Sequence, residues 1–229
     1  MLSKFKRSKH QQHLAQLPKL PQTVADVRTL YTPSDYRATL LELIANATHR
    51  IYLVALYLEH DDAGRDILNA LYQAKQRCPA LEICILVDWH RAQRGRIGAA
   101  AANTNADWYC SMADQHPELS VPIYGLPVNT REALGVLHLK GFVIDDTVVY
   151  SGASINDVYL HQHEKYRYDR YQLITNGELA NTMIDYINQH LLTAGAVQRL
   201  DRDDRPKSPE IKNETRLFRF GLRRAGYQF

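Results

Sequence analysis

Cysteine is scarce in this chain: Cys78, Cys84 and Cys110 are the only three in 229 residues. An odd, sparse set cannot build a disulfide framework, so the thiols are expected to be reduced, as in a cytosolic protein. No metal-ligand spacing involves them. Long apolar runs are also missing. The longest, residues 51–58 (I-Y-L-V-A-L-Y-L), falls far short of the roughly 20 residues that a membrane span requires. The N-terminus has no apolar stretch of the kind a secretory signal carries, so none is expected. What is left is a globular domain of generous size, with 45% apolar residues and length enough for a real core.

The net charge of +3 is small but unevenly spread. Residues 1–30 carry net +5, residues 199–229 net +4, and the stretch between them net −6. Basic ends around an acidic middle suggest a polyanion or an anionic membrane surface as partner. In the first segment, residues 1–22, Leu2 and Phe5 stand among Lys4, Lys6, Arg7 and Lys9. Such a segment can lie on an anionic bilayer.

Between the ends, strand and helix patterns alternate. Short or buried strands are predicted over 27–31, 51–58, 81–87, 121–124 and 171–175. Helices are predicted over 33–47, capped by Thr32, over 63–76 and over 178–192, with a broken helical region over 99–120. Strands alternating with helices of this size imply an α/β fold with a parallel or mixed sheet. Past the strand 81–87 the chain reads D-W-H-R-A-Q-R-G-R. Ligands in α/β folds gather beyond the carboxyl ends of strands, so Arg91, Arg94 and Arg96 are candidates for holding phosphates. From Arg199 the composition turns charged and proline-marked, as in a linker, before a basic helix over 214–225.

The most informative stretch is residues 136–154, V-L-H-L-K-G-F-V-I-D-D-T-V-V-Y-S-G-A-S. It predicts a hairpin, with strands over 136–144 and 148–151 and a turn at Asp145-Asp146. His138 and Lys140 are two apart, so on a strand they share a face. An imidazole beside an ammonium suits a phosphate: the first can attack phosphorus or carry a proton, the second can hold anionic oxygens. Asp145 lies an odd number of residues from His138 and sits at the turn. It is therefore expected to shape the turn or orient a neighbour. After the hairpin, Gly152 permits close backbone approach, and Ser154 and Asn156 add small polar groups.

The spacing His138-x-Lys140-x4-Asp145 resembles the H-x-K-x4-D signature of the phospholipase D superfamily. Four longer runs, at 87–101, 103–109, 129–138 and 156–171, resemble the bacterial phosphatidylserine synthases of that superfamily. Those synthases carry two such motifs in a chain roughly twice this long. Here the tail G-S-x-N of the motif reads Gly152-Ala153-Ser154-Ile155-Asn156. His163-x-Lys165 imitates a second motif, but Asp169 comes one residue early.

The resemblance implies an α/β phospholipase D-like domain, a mixed sheet flanked by helices, over residues 23–198. That domain would follow the basic segment 1–22 and precede the charged segment 199–229. It implies transfer of a phosphatidyl group from CDP-diacylglycerol to L-serine through a phosphatidyl-histidine, releasing CMP, with no cofactor and no metal. His138, Lys140 and Asp145 take the catalytic positions, with His138 either nucleophile or general acid. Arg91, Arg94, Arg96, Ser154 and Asn156 take substrate contacts. One motif supplies half a site, so the other half is expected from a C-terminal half or from a homodimer mate. The expected place is the inner face of the cytoplasmic membrane, bound peripherally to its anionic surface, with nucleic acid not expected as a partner. The competing readings are a homodimeric single-motif phosphodiesterase or nuclease and a non-catalytic remnant.

Overall fold

Alternation along the strands divides the core into two layers. The structure, a computed structural model, describes residues 10–17, 19–94, 104–129, 136–192 and 195–225. Its strands are β1 (Val27–Leu30), β2 (Arg50–Val54), β3 (Glu82–Asp88), β4 (Ile123–Leu126), β5 (Gly141–Ile144), β6 (Thr147–Ser151), β7 (Tyr171–Thr175) and β8 (Gln198–Arg199). They form one mixed sheet in the order β1-β7-β6-β5-β2-β3-β4-β8. Strands β2, β3 and β4 are parallel, and the other pairings are antiparallel.

The helices are α1 (Pro33–Asn46), α2 (Asp62–Arg77), α3 (Trp89–Ala92), α4 (Asn105–Gln115), α5 (Gly177–Tyr186) and α6 (Lys212–Leu222). Ile51, Leu53, Ile83, Ile85, Phe142 and Val149 face one layer, with Tyr36, Leu40, Ile67, Leu68 and Tyr109 of α1, α2 and α4. Their strand neighbours Tyr52, Val54, Cys84, Leu86, Val143 and Val148 face the other, with Ala180, Ile184 and Phe218 of α5 and α6. Central strands covered on both sides must be apolar at successive positions, which is why residues 51–54 and 83–87 read as continuous runs. Each fully buried Leu, Ile or Phe contributes about 1.5–3 kcal/mol. Thr32 caps α1 as its sequence signal implied, accepting from the Asp35 amide, and Asp61 caps α2 by accepting from the Gly64 amide. Among the described residues no helix is long and apolar enough to cross a membrane.

The charged stretch beyond Arg199 lies against this domain. Leu200, Asp201 and Ile211 are buried, Trp89 Nε1 donates to Ser208 Oγ, and Arg205 pairs with Asp107 at 2.8 Å. Its polar composition hides a few anchoring residues, and composition averages them away.

Candidate active site

The topology brings five chain segments to one end of the sheet. The carboxyl ends of the parallel strands β2 and β3 lie there. So does the amino end of β5, because Val54 of β2 pairs antiparallel with Gly141. The carboxyl end of β6 and the amino end of β7 join them, since Ser151 pairs with Tyr171. Hence the segments after Val54, after Asp88, before Gly141, after Ser151 and before Tyr171 converge.

His138 and Lys140 stand on the third of these segments. The strand expected over 136–144 begins only at Gly141, so strand parity does not place these two side chains. The reason is the loss of ladder partners. The β2–β5 ladder ends at Val54 and Gly141, while β2 keeps to β3, with the Ala55 amide donating to the Leu86 carbonyl at 3.0 Å. The Leu137 amide donates instead to Asp88 Oδ2 at 2.7 Å. Asp88 is fully buried, and its Oδ1 also caps α3 by accepting from the Arg91 amide at 2.8 Å. One carboxylate thus fixes both the start of α3 and the backbone next to His138. His138 is exposed and Lys140 half-buried.

The Lys140 ammonium is held below the usual lysine range by burial, with Asp169 pulling it back up. Asp169 Oδ1 accepts from the Gly152 amide at 3.1 Å, and its carboxylate sits so close that a Cβ at Gly152 would lie 2.8 Å from it. Glycine is needed at 152 for that approach. Asp169 was named in the sequence only as a misplaced letter of a second motif. It lies 17 residues beyond Gly152, and no local spacing signals the contact.

Asp145 occupies the opposite end of β5. Its φ is 49°, a left-handed conformation that turns the hairpin. Its carboxylate accepts from the amides of Thr48 (3.0 Å), His49 (2.8 Å) and Arg50 (3.0 Å) and from the Thr48 hydroxyl (3.2 Å). Burial raises its pKa, but these donors outweigh burial and hold it below the usual aspartate value. This is the turn-shaping role expected from its position.

The remaining candidates are tied into the scaffold to different degrees. Ser154 is buried, and its hydroxyl meets the Tyr57 hydroxyl. Asn156 Nδ2 donates to Tyr57 Oη at 2.9 Å, while its Oδ1 accepts from the Tyr159 amide at 3.0 Å. Arg91 pairs with Glu59 at 2.9 Å and lies over the Tyr57 ring, 4.7 Å from its centre. Its Nη1 is buried and has no hydrogen-bond partner among the described residues. Arg94 is exposed; Arg96 and the run 95–103 lie outside the described residues. Tyr57 and Glu59 were missed by sequence reasoning, since an apolar run around them read as strand. In the imitation motif, which was not expected to supply the second histidine, His163 is bonded to Asp62 at the start of α2 and lies 3.6 Å from Asp157. These three side chains form a group that could hold a cation, on the surface.

The mixed sheet between two helical layers, with H-x-K at one end of a strand and the aspartate at the other, defines a class. The chain belongs to the family described as cardiolipin synthase, PLD-like domain, whose model matches residues 40–191. Its curated relatives narrow the comparison. It is 66% identical over 229 residues to the CDP-diacylglycerol–serine O-phosphatidyltransferase PssA of Escherichia coli, covering 100% of this chain and 51% of that protein. It is 48% identical to the CDP-diacylglycerol–serine O-phosphatidyltransferase of Haemophilus influenzae, covering 99% of this chain and 50% of that protein. The crystal structure of phosphatidylserine synthase from Haemophilus influenzae superposes with a TM-score of 0.92 at 46% identity, covering 97% of this chain and 49% of that one. The chain therefore spans about half the length of the curated relatives it matches.

Proposed function

We propose that this chain forms one half-site of a phosphatidyltransferase that makes phosphatidylserine and CMP from CDP-diacylglycerol and L-serine. The observation that carries the reading is the identity of 66% over the whole chain with a protein named for that reaction. The His138–Lys140 pair at the sheet end where five segments converge supports it. In this reading a histidine attacks the phosphorus of the phosphatidyl group, the bond to CMP breaks, and the serine hydroxyl then displaces the histidine. His138 serves as that nucleophile or as the acid that protonates the leaving oxygen. Lys140 neutralises the phosphoryl oxygens as charge shifts, and Asp169 offsets part of the burial cost of that ammonium. Asp145 acts on the hairpin rather than on phosphate. Arg94 and Arg96, which follow β3 in the sequence, contact the pyrophosphate. Arg91 acts through Glu59 and Tyr57 on Asn156.

A second histidine must come from a further half of a longer protein or from a second copy. The enzyme would work at the inner face of the cytoplasmic membrane, held to its anionic surface. The test is CMP release from CDP-diacylglycerol, measured with and without serine, against protein concentration with oligomeric state followed by light scattering. It is repeated with a separately produced second half of the longer relatives. Serine-dependent release should appear only with the second half or with dimers. Robust release by a demonstrated monomer would overturn the half-site reading, and no release under any condition would overturn the reaction.

A further inference from the structure

Glu59 and Arg91 form a buried ion pair at the sheet end where the chain segments converge. Their side chains are 6% and 13% exposed and lie 2.9 Å apart. Glu59 stands on the segment after β2, and Arg91 stands in α3, after β3. The pair borders the tail of the motif. The Glu59 amide donates to the Ile155 carbonyl at 3.0 Å, between Ser154 and Asn156. The Arg91 guanidinium covers the Tyr57 ring, whose hydroxyl meets both of those side chains. Asp88 ties the pair to His138, since its carboxylate accepts from the Arg91 and Leu137 amides. Two buried donors here lack an acceptor among the described residues, Arg91 Nη1 and Asn105 Nδ2. Both belong to residues bonded to one dipeptide: Arg91 Nη2 donates to Glu59, and the His60 amide donates to Asn105 Oδ1 at 2.9 Å.

We propose that this cluster is the subsite for the amino-acid acceptor, with the α-ammonium of serine on the Glu59 carboxylate and its α-carboxylate on Arg91 Nη1 and Asn105 Nδ2. The inference deepens the proposed function and rests on it. A buried donor without an acceptor is costly, and a carboxylate brings two acceptor oxygens to two such donors. A buried ion pair is close to break-even for the fold, so its charges are at hand for a ligand that carries both signs. Phosphate suits the place less, because Glu59 cancels the Arg91 charge and would face the anion at contact distance. A zwitterion meets an opposite charge at each end. Serine held at those two ends keeps its hydroxyl unengaged, for the phosphorus beside His138.

The test measures CMP release from CDP-diacylglycerol by the completed enzyme with three acceptors: L-serine, ethanolamine, which lacks the carboxylate, and 3-hydroxypropanoate, which lacks the ammonium. Preferences between acceptors are compared rather than overall rates, because the cluster also orients Asn156. The parent should prefer L-serine to each analogue by at least about 10²-fold in kcat/KM, since each analogue leaves polar groups of the site unpaired. Arg91→Met should lower the preference over ethanolamine by about tenfold or more and keep the preference over 3-hydroxypropanoate. Glu59→Gln should do the reverse. The double variant Glu59→Gln/Arg91→Met leaves neither charge buried alone, which guards against misfolding of either single variant, and it should lose both preferences. Unchanged preferences in the folded double variant would overturn the proposal. Equal losses with all three acceptors would overturn it too, as the mark of a purely structural pair, and so would a parent that uses serine and ethanolamine alike. A parent that releases no CMP with any acceptor would overturn the underlying reaction instead, so the two failures are told apart.

Discussion

At the amino end of β5, His138 is exposed and Lys140 half-buried, on a segment with no ladder partner among the described residues, its Leu137 amide held by Asp88. At the carboxyl end, Asp145 accepts four hydrogen bonds from Thr48, His49 and Arg50 and turns the chain. The four residues between Lys140 and Asp145 are β5 itself, Gly141–Ile144. The motif spacing is thus the length of a short strand, and the motif letters fall at opposite ends of that strand. The exposed groups sit on a stretch outside the named strands, and the group that secures the hairpin sits between two paired ones. If His138 and Lys140 carry the proposed chemistry while Asp145 holds the hairpin, substitutions at the two ends should fail in different ways.

The largest effect is expected at His138. His138→Ala should lower CMP release in the completed enzyme by more than about 10³-fold, since it removes nucleophile or acid. Melting temperature and circular dichroism should not change, because the side chain is exposed. Wild-type turnover would break the comparison at its amino end. Lys140→Met should cost about 10²–10³-fold, the scale of losing one preorganised charge in a transition state. Here stability carries a sign. Burial holds the folded pKa of Lys140 below its unfolded value, so at neutral pH the ammonium is a strain on the fold. That strain fades only as pH rises through the folded pKa. Thermal denaturation at pH 7 should therefore show Lys140→Met as stable as the parent or more so, while activity collapses.

Asp88 sharpens the comparison, because it acts on the amino end without touching a ligand. Asp88→Asn keeps one acceptor and loses the other, releasing either the α3 cap or the Leu137 amide. The expected loss is about 1–3 kcal/mol of stability, the usual penalty for a buried donor left unpaired. Activity should fall further than folding does, about tenfold or more in kcat with little change in KM, since the His138 backbone loses its anchor. Equal losses in activity and in folded fraction would show that Asp88 supports the fold alone.

Much of this was legible in the chain. Apolar runs at 51–58 and 81–87 announced strands covered on both faces, although the first strand ends at Val54, and Thr32 announced a helix start. The turn position of Asp145 foretold its architectural part. The rest depended on contacts that spacing does not record. Whether the strand reached His138 depended on β2 leaving the ladder at Val54, a choice made by β2 and not by residues 136–140. Arg91 looked like a free cation until Glu59, 32 residues earlier, was seen against it. Asp169 looked like a failed motif letter until Gly152 brought the chain near. Ser208 and Ile211 anchor a stretch whose average composition is that of a linker.

The smallest effect on chemistry, and a clear effect on stability, is expected at Asp145. Asp145→Asn loses the charge and one acceptor that the amides of residues 48–50 share. The loss should be about 1–3 kcal/mol at neutral pH, read from urea unfolding. The pH dependence gives the sharper reading. The folded pKa of Asp145 lies below its unfolded value of about 4, so its carboxylate stabilises the fold fully above about pH 5. That contribution drains away as pH falls through the depressed folded pKa. The gap between parent and variant should be widest at neutral pH and should narrow on acidification below about pH 4. CMP release per folded molecule should be the same for both in the completed enzyme. A variant with normal stability and abolished release would put Asp145 with the chemistry and undo the division between the two ends of β5.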